Sequence, residues 1–247
     1  MVGGQVRLIP EIVCEWGLAG LRSAAAGRNV VIVDIFSFST AVSVAASRGA
    51  MILPCEWNEE RATALARAER AELAAKRGEG PYSLAPASLR SIPVGLRLVV
   101  PSRNGSAIAF AAGEAGARKI IAACLRNAAS VAKWVNEQRE PVAVIAAGER
   151  WPDDTIRFAF EDWLGAGAII SRLVGDRTVE AAAAAAAFEV LRESLSEALA
   201  GSRSGRELLE AGRAEDIDLA AELDMDDVVP ILTGNAFCDR GGTLPRS

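Results

Sequence analysis

Short apolar runs alternate along this chain with Ala-rich stretches of helical period. The run over 30–33, Val-Val-Ile-Val, is continuous and β-branched, as expected of a strand buried on both faces, and it closes on Asp34. Ser39 and Thr40 are suitable caps for a helix over 41–47, and Gly49 stands where a left-handed C-terminal residue is expected. A strand over 51–54 and a long, charge-paired helix over 59–77, closed by Gly78, come next. After a loop containing Gly, Pro and Ser the unit recurs, with a strand over 96–100, a loop over 101–105 and a helix from Ser106 to about Ala115. It then comes twice more: a strand over 119–123 with a helix reaching about Gln138, and a strand over 142–146 with a helix containing Glu161 and Asp162. An Ala-rich helix over 178–199 and an acidic region over 215–227, read as a solvated face, complete the pattern. Repeated strand-then-helix units predict a three-layer α/β/α fold around a largely parallel or mixed central sheet. No linker composition interrupts it, so one α/β domain over 1–247 is expected.

Of the 247 residues, 51% are hydrophobic and 24% charged, enough for a substantial core. A net charge of −5 without a clustered Lys/Arg face argues against a nucleic-acid partner. No apolar run approaches the roughly 20 residues that span a bilayer, and 1–10 lacks the apolar core of a signal peptide. A cytoplasmic protein with no membrane partner is therefore expected. Cys14, Cys55, Cys124 and Cys238 are scattered, which points to reduced thiols rather than a zinc cluster or a disulfide framework. The chain has no histidine. That excludes Ser-His-Asp triads, His-based phosphoryl transfer and imidazole metal sites. Any metal must be held by oxygen, and oxygen favours hard ions such as Mg²⁺ or Ca²⁺.

In parallel sheets the loops at the carboxyl ends of the strands gather on one edge and form the ligand crevice. Those loops contribute Asp34, Ser37, Ser39 and Thr40, then Arg103, Asn104, Gly105 and Ser106, then Arg126 and Asn127, and finally Glu149. Carboxylates and guanidiniums beside helix N-termini make a site for Mg²⁺ and an anionic ester. Asp34, closing a fully apolar run, is read as a metal ligand ahead of a simple helix cap. Ser39, Thr40 and Ser106 are caps first, with phosphate contact as an added role, while Asn104-Gly105 is first a tight turn and Asn127 first an N-cap. Glu161 and Asp162 suit either a helix start or a metal and general-base role. Glu149, Arg103 and Arg126 divide between solvated surface and ligand contact.

At these same residues the chain resembles the 2-phosphosulfolactate phosphatases, a Mg²⁺-dependent family. Val31 through Thr40 (Val-Ile-Val-Asp-Ile-Phe-Ser-Phe-Ser-Thr) is similar to the family's strand-Asp-x-Leu-Arg-Ala-Ser/Thr-Thr segment. Pro101-Ser-Arg-Asn-Gly-Ser106 resembles its Thr-Thr-Asn-Gly-Thr loop, Cys124-Leu-Arg-Asn-Ala128 its Phe-Leu-Asn-Ala turn, and Ala147-Gly-Glu149 with Phe160-Glu-Asp-Trp-Leu-Gly-Ala-Gly-Ala-Ile169 its Ala-Gly and Leu-Glu-Asp blocks. In the tail, Gly205-Arg-Glu-Leu208, Asp216 and Val229-Pro230 recur as well. The resemblance implies hydrolysis of the phosphate ester of 2-phosphosulfolactate, a step of coenzyme M biosynthesis, with Mg²⁺ held by some of Asp34, Glu161 and Asp162. It also implies a small anionic phosphate ester as the partner.

Three departures bear on the substrate. Ser37 stands where the family has arginine, Ala75-Lys76-Arg77 replaces a Gly-Glu-Arg block, and Pro86-Ala87-Ser88 replaces Asn-Ser-Pro. Serine cannot read an oxyanion as a guanidinium does, so Arg103 and Arg126 are expected to restore the lost charge from another side. Another phosphorylated hydroxy acid, or a non-catalytic protein binding a small anion on the same scaffold, are the rival readings. Trp151 and Trp163 suit a lid or a homodimer contact. Two motifs fail: Cys55 through Arg61 spells a cysteine-phosphatase loop but carries Glu56, Glu59 and Glu60, and Asp224-Met-Asp226 follows no apolar strand. No phosphate-cradling nucleotide loop is present.

Overall fold

The apolar runs become the central strands of a sheet in the computed structural model, which describes residues 9–240. In chain order the strands are β1 (Glu11–Trp16), β2 (Asn29–Val33), β3 (Met51–Cys55), β4 (Glu72–Leu73), β5 (Arg97–Pro101), β6 (Lys119–Ala123), β7 (Val142–Ala146), β8 (Glu149–Arg150), β9 (Ile156–Arg157), β10 (Asp176–Arg177), β11 (Pro230–Thr233) and β12 (Ala236–Asp239). The helices are α1 (Gly17–Ala24), α2 (Phe38–Ser47), α3 (Glu59–Ala68), α4 (Gly105–Glu114), α5 (Ala128–Gln138), α6 (Phe160–Ile170), α7 (Val179–Leu191), α8 (Leu195–Gly201), α9 (Arg203–Glu210) and α10 (Ala214–Ala221). Ten strands form one sheet in the order β10-β1-β7-β2-β6-β11-β12-β3-β5-β4, while β8 and β9 pair separately.

The sheet is mixed. Pairings among β10, β1, β7, β2 and β6 are parallel, as are those of β3, β5 and β4. Between the two groups lies the antiparallel hairpin β11–β12, joined to β6 at Ile231–Ile121 and to β3 at Phe237–Ile52. Side chains of β2 alternate between two cores: Val31 and Val33 meet helices α5, α6 and α7, while Val30 and Ile32 meet α1, α2 and α4. All five residues of β2 are buried, and each apolar one contributes roughly 1.5–3 kcal/mol. A third cluster seats α3, through Ala62 and Ala66, on Leu53 and Val99. Small residues permit the closest helix contact: a Cβ at Gly167 of α6 would overlap the Ala184 carbonyl of α7.

Four expectations need correction. The helix expected over 59–77 stops at Ala68, where Arg70 turns left-handed (φ 50°) and the chain returns as β4 alongside β5. The helix expected over 178–199 is two, α7 and α8, joined by a single turn over Arg192–Ser194. Ser39 and Thr40 lie inside α2, and Ser37 holds its N-cap position. In the acidic region Asp216 and Asp226 are buried, so that run is not wholly a solvated face. No helix among the described residues is long and apolar enough to cross a membrane.

Candidate active site

Asp34 stands where β2 ends, and both of its oxygens are taken by backbone. Oδ1 accepts from Phe38 N–H (3.0 Å) at the start of α2, and Oδ2 accepts from Gly105 N–H (3.0 Å) at the start of α4. Two helix N-termini thus aim at one carboxylate, bringing the carboxyl ends of β2 and β5 together. Residue 105 must be glycine for this, because a Cβ there would overlap the Phe38 ring.

Asp162, in the first turn of α6, ties the loop after β7 to the same loop after β2. Its Oδ1 accepts from Ile35 N–H (2.7 Å) and its Oδ2 from Gly148 N–H (2.9 Å). Gly148 is left-handed (φ 73°), a conformation glycine adopts without strain. Glu161 beside it is 2% exposed, and its Oε2 has no hydrogen-bond partner among the described residues. Glu149, half-buried on β8, accepts from Asn104 Nδ2 (2.6 Å), whose Oδ1 accepts from Arg150 Nε (3.3 Å).

These four acids lie close enough to repel one another. Burial, then the Glu149 charge, pushes Asp34 up to about 7 against the pull of its two N–H donors. Burial, then Asp34 and Glu161, raises Asp162 well above the ordinary carboxylate range. Glu149 is raised chiefly by burial, with Arg157 opposing. Among the described residues no three acids, cysteines or histidines are arranged as a metal-holding group. All four cysteines are buried and none is in a disulfide among the described residues; burial pushes the thiols of Cys14 up to about 12 and Cys124 to about 11, which disfavours the nucleophilic thiolate at both.

A cleft of about 500 Å³ opens over Asp34 and Glu149, with Ser37, Trp57, Arg103 and Arg157 among its walls. Arg103 lies over the Trp57 ring, 5.4 Å from its centroid, and Trp151 also lines the cleft. Arg77 comes in from the side: it donates to Ser37 Oγ (2.8 Å) and pairs with Asp216. Its guanidinium therefore touches the serine that stands where the family has arginine.

Several expected site residues are placed elsewhere in the chemistry. Ser39 donates to the Ile32 carbonyl (2.9 Å), Thr40 to Ile35 (2.9 Å) and Ser106 to Val100 (3.3 Å), all fully buried. Asn127 accepts from Cys124 N–H (2.8 Å) and holds the turn beneath β6. Arg126 is a correction. It is buried and bidentate on Asp226 (2.8 and 2.9 Å) and also pairs with Glu222, so its charge is already neutralised. Arg77, named above only within a departure from the family block, and Arg157 are not among the site residues the sequence suggests. Arg77 sat in the run read as helix, and Arg157 lies on a two-residue strand too short to leave a periodic signal.

The 2-phosphosulpholactate phosphatase family model matches residues 19–235. A probable 2-phosphosulfolactate phosphatase of Carboxydothermus hydrogenoformans is 28% identical over 215 residues, covering 83% of this chain and 87% of that one. The 2-phosphosulfolactate phosphatase of Methanothermobacter thermautotrophicus is 27% identical over 207 residues, covering 81% and 85%. A probable 2-phosphosulfolactate phosphatase of Gloeobacter violaceus reaches 33% identity over 123 residues, covering 49% and 50%. With the match running through every loop that builds the cleft, the chain belongs to the 2-phosphosulpholactate phosphatase family, whose name denotes hydrolysis of a phosphoric monoester.

Proposed function

We propose that the chain hydrolyses the phosphate ester of 2-phosphosulfolactate, or of a closely related phosphorylated hydroxy acid, with Mg²⁺. One observation carries this reading: Asp34 and Glu149 line a cleft whose walls include guanidiniums, and the buried Glu161 and Asp162 repel them from close by. Acids crowded together, with no cation hydrogen-bonded to Asp34 or Asp162 among the described residues, call for a cation, and the anionic groups of the substrate call for the arginines of the walls.

The residues present fit Mg²⁺. All donors are oxygen, the hard chemistry that ion prefers, and Glu161 offers a buried oxygen with no other partner. Mg²⁺ needs only one or two carboxylates, with water and phosphate oxygens completing its shell, so the lack of a three-acid group is no obstacle. Asp34 and Glu161 would hold it. When bound it would polarise the phosphoryl oxygens and offset their developing charge.

The chain's own residues supply the rest. Phe38 and Gly105 N–H groups fix the orientation of Asp34, and Asp162 braces the loops after β2 and β7. Glu149, held at one oxygen by Asn104 and raised by burial, takes a proton from the attacking water. Arg103 and Arg157 neutralise the acidic groups of the ester from the cleft walls. The test is an assay on a panel of phosphate esters with and without Mg²⁺. Turnover of a phosphorylated hydroxy acid that requires Mg²⁺ and disappears in Asp34→Ala supports the reaction; anion binding without turnover across the panel supports the non-catalytic alternative.

A further inference from the structure

One guanidinium in the cleft is both buried and incompletely used. Arg157, on β9, is 6% exposed, and its Nη1 has no hydrogen-bond partner among the described residues. Its other terminal nitrogen is anchored: Nη2 donates to Glu207 Oε2 (3.0 Å) and lies 3.4 Å from Ser204 Oγ, both on α9. Trp151 packs against the guanidinium, 5.7 Å from its centroid, and is covered on its other contact by Arg203 at 4.6 Å. The same side chain lines the cleft that holds Asp34 and Glu149.

We propose that Arg157 binds an oxyanion of the substrate through this free nitrogen, as the arginine that determines which acids the cleft accepts. The proposal rests on the phosphatase reading above for the identity of the ligand, though not for the existence of the contact. A buried N–H donor is rarely left without an acceptor, and this one belongs to a side chain that lines the cleft. Arginine remains charged at every working pH and meets two oxygens of an oxyanion with a rigid fork. Glu207, Ser204 and Trp151 fix that fork in advance, so little ordering remains to oppose binding. Ser37 presents no cation of its own, and Arg126 is neutralised by Asp226 and Glu222. Arg157 thus brings a guanidinium to the cleft from the β8–β9 hairpin, while Arg77 donates to Ser37 Oγ.

Inorganic phosphate and methanesulfonate, titrated calorimetrically into the Mg²⁺-loaded full chain at low ionic strength, test this. Arg157→Lys keeps a cation for Glu207 but loses the fork; Arg157→Gln loses both. We expect Arg157→Lys to melt within about 2 °C of the parent yet bind at least one of the two ions about tenfold more weakly. Loss of phosphate alone assigns the contact to the phosphoryl group, and loss of methanesulfonate alone assigns it to the acid end. If Arg157→Lys restores parental affinity for both ions, Arg157 only clamps the hairpin to α9 and the proposal is overturned; it is overturned equally if the parent binds neither ion. Should Arg157→Gln fail to fold, the Lys variant decides alone. A parent that binds phosphate but hydrolyses no ester sinks the phosphatase reading, while a binding loss in Arg157→Lys would still stand.

Discussion

Two buried acidic groups in this protein are treated in opposite ways. Asp226 is 6% exposed and is met by a bidentate guanidinium from Arg126 and by the Ser43 hydroxyl (2.8 Å). Asp34 is equally buried, at 6%, yet faces two N–H groups and other acids, with no cation bonded to it. The first arrangement is closed, with each charge answered inside the chain. The second is open, with burial and repulsion left uncompensated, as happens where a site is shaped for something that binds.

Removing one member of each group should separate the two roles most sharply. Asp34→Ala should lower kcat by about 10³-fold or more, since a ligand and its aligned helix termini are lost together. Arg126→Met should leave kcat of the folded fraction within twofold of the parent. It strands Asp226 without its cation, which costs about 3–5 kcal/mol and lowers the melting temperature by on the order of 10 °C. Steady-state kinetics and thermal melts of both variants check this. A dead Arg126→Met enzyme with unchanged stability would erase the contrast.

The open site should also show itself in the dependence of stability on pH. Asp34 titrates near 7 in the folded chain against an ordinary 3.8, so the native state holds a proton that the unfolded state releases. The stability that Asp34 contributes should therefore be full below about 4 and be lost as pH rises toward 7, by at most about 4 kcal/mol. Melting temperature in chelator should fall across that interval, and Mg²⁺ should reverse the fall at pH 8 by binding the ionised form. Asp34→Asn should flatten the slope. A Mg²⁺-independent melting curve would contradict the assignment of the acid cluster as a cation site.

How much of this was legible depended on whether a residue's environment lies near it in sequence. The strands over 119–123 and 142–146 emerged with their bounds intact, because uninterrupted apolar runs between helices have few alternatives. Asp34 was legible as a charge closing such a run. Arg126 was not, since its partner Asp226 lies 100 residues away, and a loop arginine has no local mark of being neutralised. The stretch after Ala68 has helical composition but pairs with β5, a tertiary preference that overrides propensity. The hairpin β11–β12 is too short and irregular to announce itself, yet it divides the sheet into its two parallel groups.

Within the open site, Glu149→Gln should lower kcat by roughly 100-fold with little change in KM, because a proton acceptor is lost and not a binding group. The acid limb of the pH–kcat profile should vanish with it. Burial raises Glu149, so in the parent that limb should lie above the ordinary value of a glutamate, with activity rising as Glu149 ionises. A limb that survives the substitution would move the base role to another acid of the cluster.

The smallest effect belongs to Arg103, which has the weakest hold on its position. It is exposed and lies over the Trp57 ring, itself 59% exposed. An exposed cation–π pair of this kind contributes about 0.5–1 kcal/mol, so the guanidinium is free to lean toward an anion entering the cleft. Arg103→Ala should raise KM for an anionic ester by roughly threefold to tenfold and leave kcat and the melting temperature unchanged. Salt should narrow the difference, since an exposed charge is screened while the buried Arg157 is not. An unchanged KM at low salt would remove Arg103 from substrate recognition and leave the charge missing at Ser37 to be supplied by buried arginines alone.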